Sequence, residues 1–198
     1  TAVTADLLRR HLGLHATDPN YLYRIAVHEA GHALVATMLE GMPASKVSIW
    51  QGGGVTAHGT CVRHGTSAEI DQELTVHMAG RAAETLVLGN ISAGAGGNAQ
   101  SDLAKATALA TRVGRELGLG IHGALWLGPT EPQRLPQQER DRIRSWLDQA
   151  ERRATALLEP HRDRLTALAK ALVEARELKG SELAAWLEDV AAPEAPPS

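Results

Sequence analysis

Several residue types are scarce in this chain, and each scarcity excludes a class of structure. Cys61 is the only cysteine among the 198 residues, so an intrachain disulfide and a cysteine-based zinc knuckle are both excluded. Phenylalanine is absent and runs of β-branched residues are few, whereas Ala, Leu, Arg and Glu are abundant. Because the abundant residues favour helices, we expect a mainly α-helical domain without a large sheet.

Long apolar runs and an excess of one charge are also missing. No apolar run approaches the roughly 20 residues that span a bilayer, and the first residues lack the pattern of a signal peptide. The formal net charge is −3 and basic residues are interleaved with acidic ones, so nucleic acid is not an expected partner. We therefore expect a cytoplasmic location. The start at Thr1 rather than Met favours a piece of a longer protein, whose membrane tether would lie outside these residues.

A long helix is predicted from Pro19 to Glu40. Asp18 can accept hydrogen bonds from the first N–H groups, and Pro19 has no N–H to lose at the first helical position. Gly41 supplies the left-handed position after the helix, and Pro43 prevents its continuation. The helix is therefore expected to have definite ends.

A small hairpin is predicted after this helix, from Lys46 to about Arg63. The segments "KVSIW" and "VTAHGTCVR" show strand-like alternation, and "QGGG" between them is typical of a turn. The "VSIW" strand would either present a free edge on which an extended substrate pairs or simply cover the core. The sequence leaves both interpretations open.

Further helices are predicted from their capping residues. Thr66 and Glu69 form a capping box before a helix that should end at Leu88, with Gly89 after it. Three shorter helices each follow a hydroxyl residue that can cap them: Thr4, Ser101 and Ser181.

Prolines divide the chain into two parts. Pro129, Pro132 and Pro136 break the helical pattern, and two more apolar stripes at helical spacing follow them. The tail is rich in Pro and Ala and has no apolar pattern. We therefore predict a catalytic subdomain over 1–128, a C-terminal helical subdomain over 129–190 and a disordered tail over 191–198.

The most informative stretch is "HEAGH", in the middle of the long helix. His28 and His32 are four residues apart, so both imidazoles leave one face of the helix, close enough to share a tetrahedral metal ion. The carboxylate of Glu29 can reach a metal-bound water and act as the general base of peptide hydrolysis. Gly31 costs roughly 1 kcal/mol relative to Ala inside a helix, which indicates close packing of another element. Two packed histidines without a metal are the alternative, which the capped helix and its apolar flanks disfavour.

A catalytic zinc ion needs a third protein ligand, and two acidic residues are candidates. Asp102 begins a helix after a Gly-rich loop that lets the backbone pass close to a metal. Glu84 lies on a helix whose small face, Ala79, Gly80 and Ala83, could pack against the motif helix. One would bind the metal and the other would orient a histidine, and the residues alone leave that choice open. Three further histidines are secondary candidates for an assisting role: His58, His64 and His77.

Four blocks of the sequence resemble, in the same order, the peptidase domain of FtsH-type AAA proteases. They are "HEAGHALV", "MAGRAAE", "GAGGNAQSDLAKATALATRV" and "LLEPHRDRLTALAKALVEARELKGSEL". The resemblance implies a helical zinc endopeptidase, the proteolytic half of a hexameric, ATP-driven machine that degrades unfolded or unneeded proteins. It also implies two histidine ligands, an aspartate ligand, a glutamate base and a further carboxylate near the metal: His28, His32, Asp102, Glu29 and Glu84.

The chain also departs from the family's pattern. It contains no Walker A sequence, so an AAA ATPase would have to come from a longer chain or from a partner. The segment "GNAQSD" stands where the family usually has a shorter "GASND". Two alternatives follow, namely a degenerate peptidase domain used as an oligomerisation scaffold and a stand-alone zinc peptidase that works without an ATPase. The intact motif argues against a scaffold, which has no need for Glu29.

Overall fold

The computed structural model describes residues 19–40, 44–59, 64–93, 96–97 and 99–190. Helices dominate and a small antiparallel sheet accompanies them, which confirms the predicted mainly α fold. The elements in chain order are α1 (Pro19–Glu40), β1 (Lys46–Trp50), β2 (Gly53–Ala57), α2 (Ser67–Leu88), α3 (Asp102–Arg115), α4 (Gln137–Leu158), α5 (Arg162–Ala175), β3 (Glu177–Lys179) and α6 (Gly180–Leu187). Several sequence predictions fall outside the described residues: the helix capped by Thr4, the flanking residues Asp18, Gly41 and Pro43, Cys61, and the tail 191–198.

α1 is the central element of the fold and has the predicted bounds. Every residue from Ala26 to Ala36 is buried, because α2 and α5 pack along the helix and β1 and β2 cover it. A helix enclosed on all sides is expected to carry apolar residues all round, as this one largely does. The "HEAGH" motif therefore lies within the core. None of the described helices is both long and apolar enough to cross a membrane.

α1 and α2 approach each other at Gly31. A Cβ atom built on Gly31 would lie 2.5 Å from the Cβ of Ala83 and 2.8 Å from the backbone oxygen of Ala79. Such distances are far below van der Waals contact, so only glycine fits at this crossing. The close packing that the sequence predicted around Gly31 is therefore present.

The sheet differs from the predicted hairpin in three ways. β1 lies in the middle, in the order β2-β1-β3, because the three-residue strand β3 pairs with it on the far side. Of the two interpretations left open for "VSIW", the free edge is therefore wrong. The turn is confined to Gln51 and Gly52, and Gly53 and Gly54 already pair with Trp50 and Ile49. β2 ends at its fifth residue, shorter than the predicted strand, and residues 60–63 are not described.

Of the predicted caps Thr66, Gly89, Ser101 and Ser181, which lie within the described residues, the first three are present. The Thr66 hydroxyl accepts from the backbone N–H of Glu69, whose carboxylate accepts from the N–H of Thr66, and Gly89 ends α2 in the left-handed conformation. Ser101 caps α3 through the N–H of Ala104. The cap predicted at Ser181 is wrong, because α6 begins one residue earlier and has no side-chain cap. β3 ends at Lys179, and α6 follows it directly at Gly180.

Two clusters of buried apolar side chains stabilise the fold. The larger surrounds α1 and includes residues of α2, α4, α5 and α6. The smaller lies between α2, α3 and α4. Both clusters contain residues from each side of the predicted boundary between 128 and 129, and the division into two subdomains stays a prediction.

Replacing Gly31 with alanine should destabilise the domain, although alanine is the better helix former. The propensity gain is about 1 kcal/mol, whereas overpacking against the backbone of α2 typically costs about 1–3 kcal/mol. We expect the free energy of unfolding, measured with urea, to fall by about 1–2 kcal/mol. Gly114→Ala on α3 is the matched control, because a Cβ there meets no atom within 4 Å. An equal gain in stability from both changes would contradict the packing at Gly31.

Candidate metal centre

Three side chains meet beside the middle of α1. His28 and His32 lie one turn apart on α1, and their Nε2 atoms are 3.2 Å from each other. Asp102, the first residue of α3, places Oδ2 at 3.1 Å from Nε2 of His28 and 3.4 Å from Nε2 of His32. Among the described residues, these form the one group of His, Cys, Asp or Glu side chains close enough to share a metal ion.

The spacing of these atoms suits a small tetrahedral ion. Zinc binds histidine nitrogen and carboxylate oxygen at about 2.0–2.2 Å, so neighbouring ligand atoms of a tetrahedral site lie roughly 3.3 Å apart. The three distances of 3.1, 3.2 and 3.4 Å agree with that value. Two nitrogens and one carboxylate oxygen are also a donor set typical of catalytic zinc, with a fourth position left open. The residues present therefore fit the ion that the motif predicts.

The other nitrogen of each histidine is held by a hydrogen-bond acceptor. Nδ1 of His28 is 2.9 Å from Oε1 of Glu84, and Nδ1 of His32 is 2.9 Å from the backbone oxygen of Val76. Because both acceptors are on α2, each ring is fixed with Nε2 toward the centre. Asp102 thus lies with the two Nε2 atoms in the group that could hold a metal, and Glu84 contacts Nδ1, on the opposite side of the His28 ring.

Glu84 is almost completely buried in a polar network. Its side chain is 1% exposed, and it accepts hydrogen bonds from Nη1 of Arg24 at 2.6 Å and from the backbone N–H of Ser92 at 2.8 Å. Burial raises the pKa of Glu84, but the hydrogen bonds from His28, Arg24 and Ser92 outweigh it and lower that pKa to about 2. Glu84 is therefore a carboxylate at neutral pH and a permanent acceptor for His28.

Glu29 lies on the adjoining face of α1, against β2. The hydroxyl of Thr56 is 2.8 Å from Oε2 of Glu29, and it also lies 3.0 Å from the backbone oxygen of the same residue. A Cβ on Gly54 would lie 2.5 Å from Cγ of Glu29, so β2 passes close only because it has glycine there. The carboxylate is buried yet lines the cavity next to the two histidines. Glu29 and the two histidines therefore line one cavity.

The ligand atoms open into a cavity of about 460 Å³. Its walls come from α1, the β1–β2 hairpin, α2 and the start of α3, and they include His58, His77 and Lys105. Burial lowers the pKa of His77. His64 is not among the lining residues. The outer rim carries exposed apolar side chains, of which Tyr21, Trp50 and Val55 are the largest.

Comparison with known proteins identifies the family. The model of peptidase family M41 matches residues 17–185. The chain belongs to peptidase family M41. Among its relatives is the ATP-dependent zinc metalloprotease FtsH 1 of Sorangium cellulosum, which is 36% identical in an alignment 192 residues long that covers 85% of this chain and 30% of that protein. FtsH 1 of Symbiobacterium thermophilum is 35% identical in an alignment 184 residues long that covers 83% of this chain and 29% of that protein. The chain thus spans less than a third of the length of these relatives, and its resemblance to an FtsH-type peptidase domain is confirmed.

Four residues that shape this M41 site were not singled out as site residues from the sequence. Arg24 donates a hydrogen bond to Glu84, and Thr56 donates one to Glu29. Gly54 makes room for Glu29. Gly80 makes room for the ring of His28, which a Cβ atom at that position would overlap. Arg24 had a detectable signal, since it precedes His28 by four residues on the same helix face. Gly54 could also have been noticed in the sequence. A two-residue turn does not need all three glycines of "QGGG", so the extra glycine indicates close packing.

Hydrogen bonds shift the pKa values of two of the three central residues of the M41 site. Burial lowers the pKa of His28, but its hydrogen bonds with Asp102 and Glu84 outweigh burial and raise that pKa to about 9. Burial raises the pKa of Asp102, but hydrogen bonds with His28 and His32 hold it well below its usual range. At neutral pH the metal-free protein therefore carries an imidazolium at His28. A metal ion must displace one proton of this imidazolium before it can bind the ring.

The affinity of the metal-free domain for zinc should rise with pH until about pH 9. Below the raised pKa of His28, binding releases one proton, so the apparent affinity should increase about tenfold per pH unit and level off above it. Competition with a chelator, in buffers that do not bind zinc, measures this slope. Proton release can be counted independently by calorimetry in two buffers of different ionisation enthalpy. An affinity that does not change with pH would contradict the protonated state of His28.

Substitutions of the two acidic residues should separate their roles. Asp102→Ala removes a ligand atom and should abolish stoichiometric zinc binding, whereas Glu84→Gln keeps an acceptor near His28 and should weaken binding by about 10–100-fold. Zinc content after dialysis and the dissociation constant are the measurements. Loss of the metal from Glu84→Gln together with its retention in Asp102→Ala would reverse the assignment.

Proposed function

We propose that this chain is the proteolytic domain of an ATP-dependent zinc metalloprotease and that it cleaves peptide bonds within unfolded polypeptides. The observation that carries the proposal is the placement of Glu29 beside three convergent ligand atoms at the base of an open cavity. Membership of peptidase family M41 and relatives that are zinc metalloproteases support it. His28, His32 and Asp102 would hold the zinc ion.

Glu29 is proposed to move the proton during hydrolysis. A bound zinc ion would lower the pKa of a coordinated water to about 7 and polarise the peptide carbonyl. The carboxylate of Glu29 takes one proton from the attacking water and delivers it to the nitrogen of the leaving amine, which departs as the C–N bond breaks. The hydrogen bond from Thr56 holds Oε2, which leaves Oε1 for this transfer.

The free edge of β2 is proposed to bind the substrate. No described strand pairs with this edge, and β2 contacts Glu29 through Gly54 and Thr56. An extended polypeptide added there would form backbone hydrogen bonds that do not depend on its side chains. The exposed apolar residues at the rim would favour apolar segments, which unfolded proteins expose and folded proteins bury.

The domain is proposed to act with an AAA ATPase module and as a homo-oligomer, a hexamer by resemblance. The relatives are named as ATP-dependent enzymes, and this chain covers less than a third of their length. We also propose that the domain works in the cytoplasm. A scaffold without activity remains the second candidate, because "GNAQSD" lengthens the loop before Asp102, but the buried and oriented Glu29 favours the enzyme.

Glu29→Gln should abolish cleavage and retain zinc. The amide keeps the shape of the side chain and its contact with Thr56 but cannot accept the proton of the attacking water. Zinc content and cleavage of unfolded casein should be measured for the isolated chain and for the longer protein with its ATPase and ATP. Glu131→Gln, at an exposed position far along the chain, is the control and should cleave normally.

Each result of this experiment has one interpretation. Zinc in both proteins with cleavage lost only in Glu29→Gln would establish the base. Persistent cleavage by Glu29→Gln would refute its role. Zinc binding without cleavage by the wild-type protein, even with the ATPase and ATP, would favour the scaffold.

A further inference from the structure

We propose that Arg24 is a positioning residue of the metal centre, which holds Glu84 so that Glu84 fixes the ring of His28. The inference rests on the proposed zinc-dependent function and extends it. Neither the "HEAGH" motif nor the third ligand requires an arginine one turn before the first histidine. The arrangement of hydrogen bonds around Glu84 is what assigns this role.

Arg24 and His28 share one carboxylate. They are four residues apart on α1, so both side chains leave the helix on the same side and reach α2 together. Nη1 of Arg24 donates to Oε2 of Glu84 at 2.6 Å, while Nδ1 of His28 lies 2.9 Å from Oε1. Each oxygen of the carboxylate is therefore held by a different residue of α1, which prevents its rotation.

Arg24 is itself held by the loop after α2. Nη2 donates to Oδ1 of Asn90 at 2.6 Å, and Nη1 is 3.2 Å from the backbone oxygen of the same residue. Ser92, two residues on, places its backbone N–H and its hydroxyl 2.8 and 3.1 Å from the two oxygens of Glu84. A planar guanidinium can bridge Glu84 and Asn90 at once, whereas the single ammonium of lysine cannot reproduce that fork.

The burial of Glu84 makes this cation necessary. A buried carboxylate is unfavourable unless a charge and hydrogen bonds compensate it, and Arg24 is the one arginine or lysine in the described chain that forms an ion pair with Glu84. Its side chain is 23% exposed, so it reaches Glu84 from the rim of the cavity. Without Arg24 the carboxylate would keep only its contacts with Ser92 and His28, and Nδ1 of His28 would have a less firmly held acceptor.

The first test is zinc affinity. The dissociation constant of the 198-residue chain should be measured by chelator competition for the wild type, Arg24→Ala and Arg24→Lys. We expect Arg24→Ala to bind zinc about 10–100-fold more weakly, as is usual when a residue behind a ligand is lost, and Arg24→Lys to be intermediate. Asn90→Ala, at an exposed position where misfolding is not expected, should cause a smaller loss in the same direction.

Arg81→Ala is the matched control. Arg81 lies on α2 and forms a comparable half-buried ion pair with Glu151 of α4, at 3.2 Å, with side-chain exposures of 26% and 21%. Its loss removes an arginine ion pair of α2 without touching Glu84, so it should lower stability but leave zinc affinity unchanged. Urea unfolding of every variant allows the affinities to be compared at known stability.

The second test is a spectroscopic signature of the His28 ring. In the zinc-loaded wild type, the Nδ1–H proton of His28 should be protected by Glu84 and visible by NMR. In Arg24→Ala it should exchange with solvent and broaden, whereas in Arg81→Ala it should stay sharp. A role of Arg24 in stability alone would not produce this difference.

The outcomes separate the inference from the proposed function. Wild-type zinc affinity and a sharp Nδ1–H signal in a folded Arg24→Ala variant would overturn the inference and leave the function intact. Equal losses of affinity in Arg24→Ala and Arg81→Ala would overturn it too, as a general effect of stability. Absence of zinc binding by the wild type would refute the proposed function and the inference together.

Discussion

The site depends on the close approach of two helices, α1 and α2. That approach is possible because Gly31 faces Ala79 and Ala83 and because Gly80 leaves room for the ring of His28. Once the backbones are this close, α2 supplies the acceptors for both histidines, a carbonyl for one and a carboxylate for the other. A larger side chain at the crossing would move every one of these partners at once.

Each of the three carboxylates of the site has hydrogen-bond partners, and Glu84 and Asp102 share His28. Glu84 has Arg24 and Ser92, Asp102 has the two histidines, and Glu29 has the hydroxyl of Thr56. The partner that belongs to Glu29, the residue proposed to exchange a proton, is an uncharged hydroxyl. Residues that only orient others are held by charged hydrogen bonds, which are roughly twice as strong as neutral ones.

Features of the chain that depend on local spacing could be predicted from the sequence, and features that depend on distant pairing could not. The motif helix, the capping box at Thr66 and the cap at Ser101 follow from residues within one helical turn. Whether Asp102 or Glu84 lies with the two Nε2 atoms could not be predicted, because it depends on which side of the His28 ring each carboxylate contacts in the folded chain. β3 escaped prediction because three residues are too few to show alternation, and its pairing made β1 a central strand.

The position of Asp102 has a consequence for folding. It lies 74 residues from His28 along the chain, and it begins a helix that belongs to the smaller apolar cluster rather than to the core around α1. An ion bound by both would stabilise the folded chain, because two residues so far apart in sequence come together as ligands only in the folded state. The metal would thereby make the unfolding of the two apolar clusters cooperative, so that loss of the ion would release α3 before it released the helix that carries the histidines.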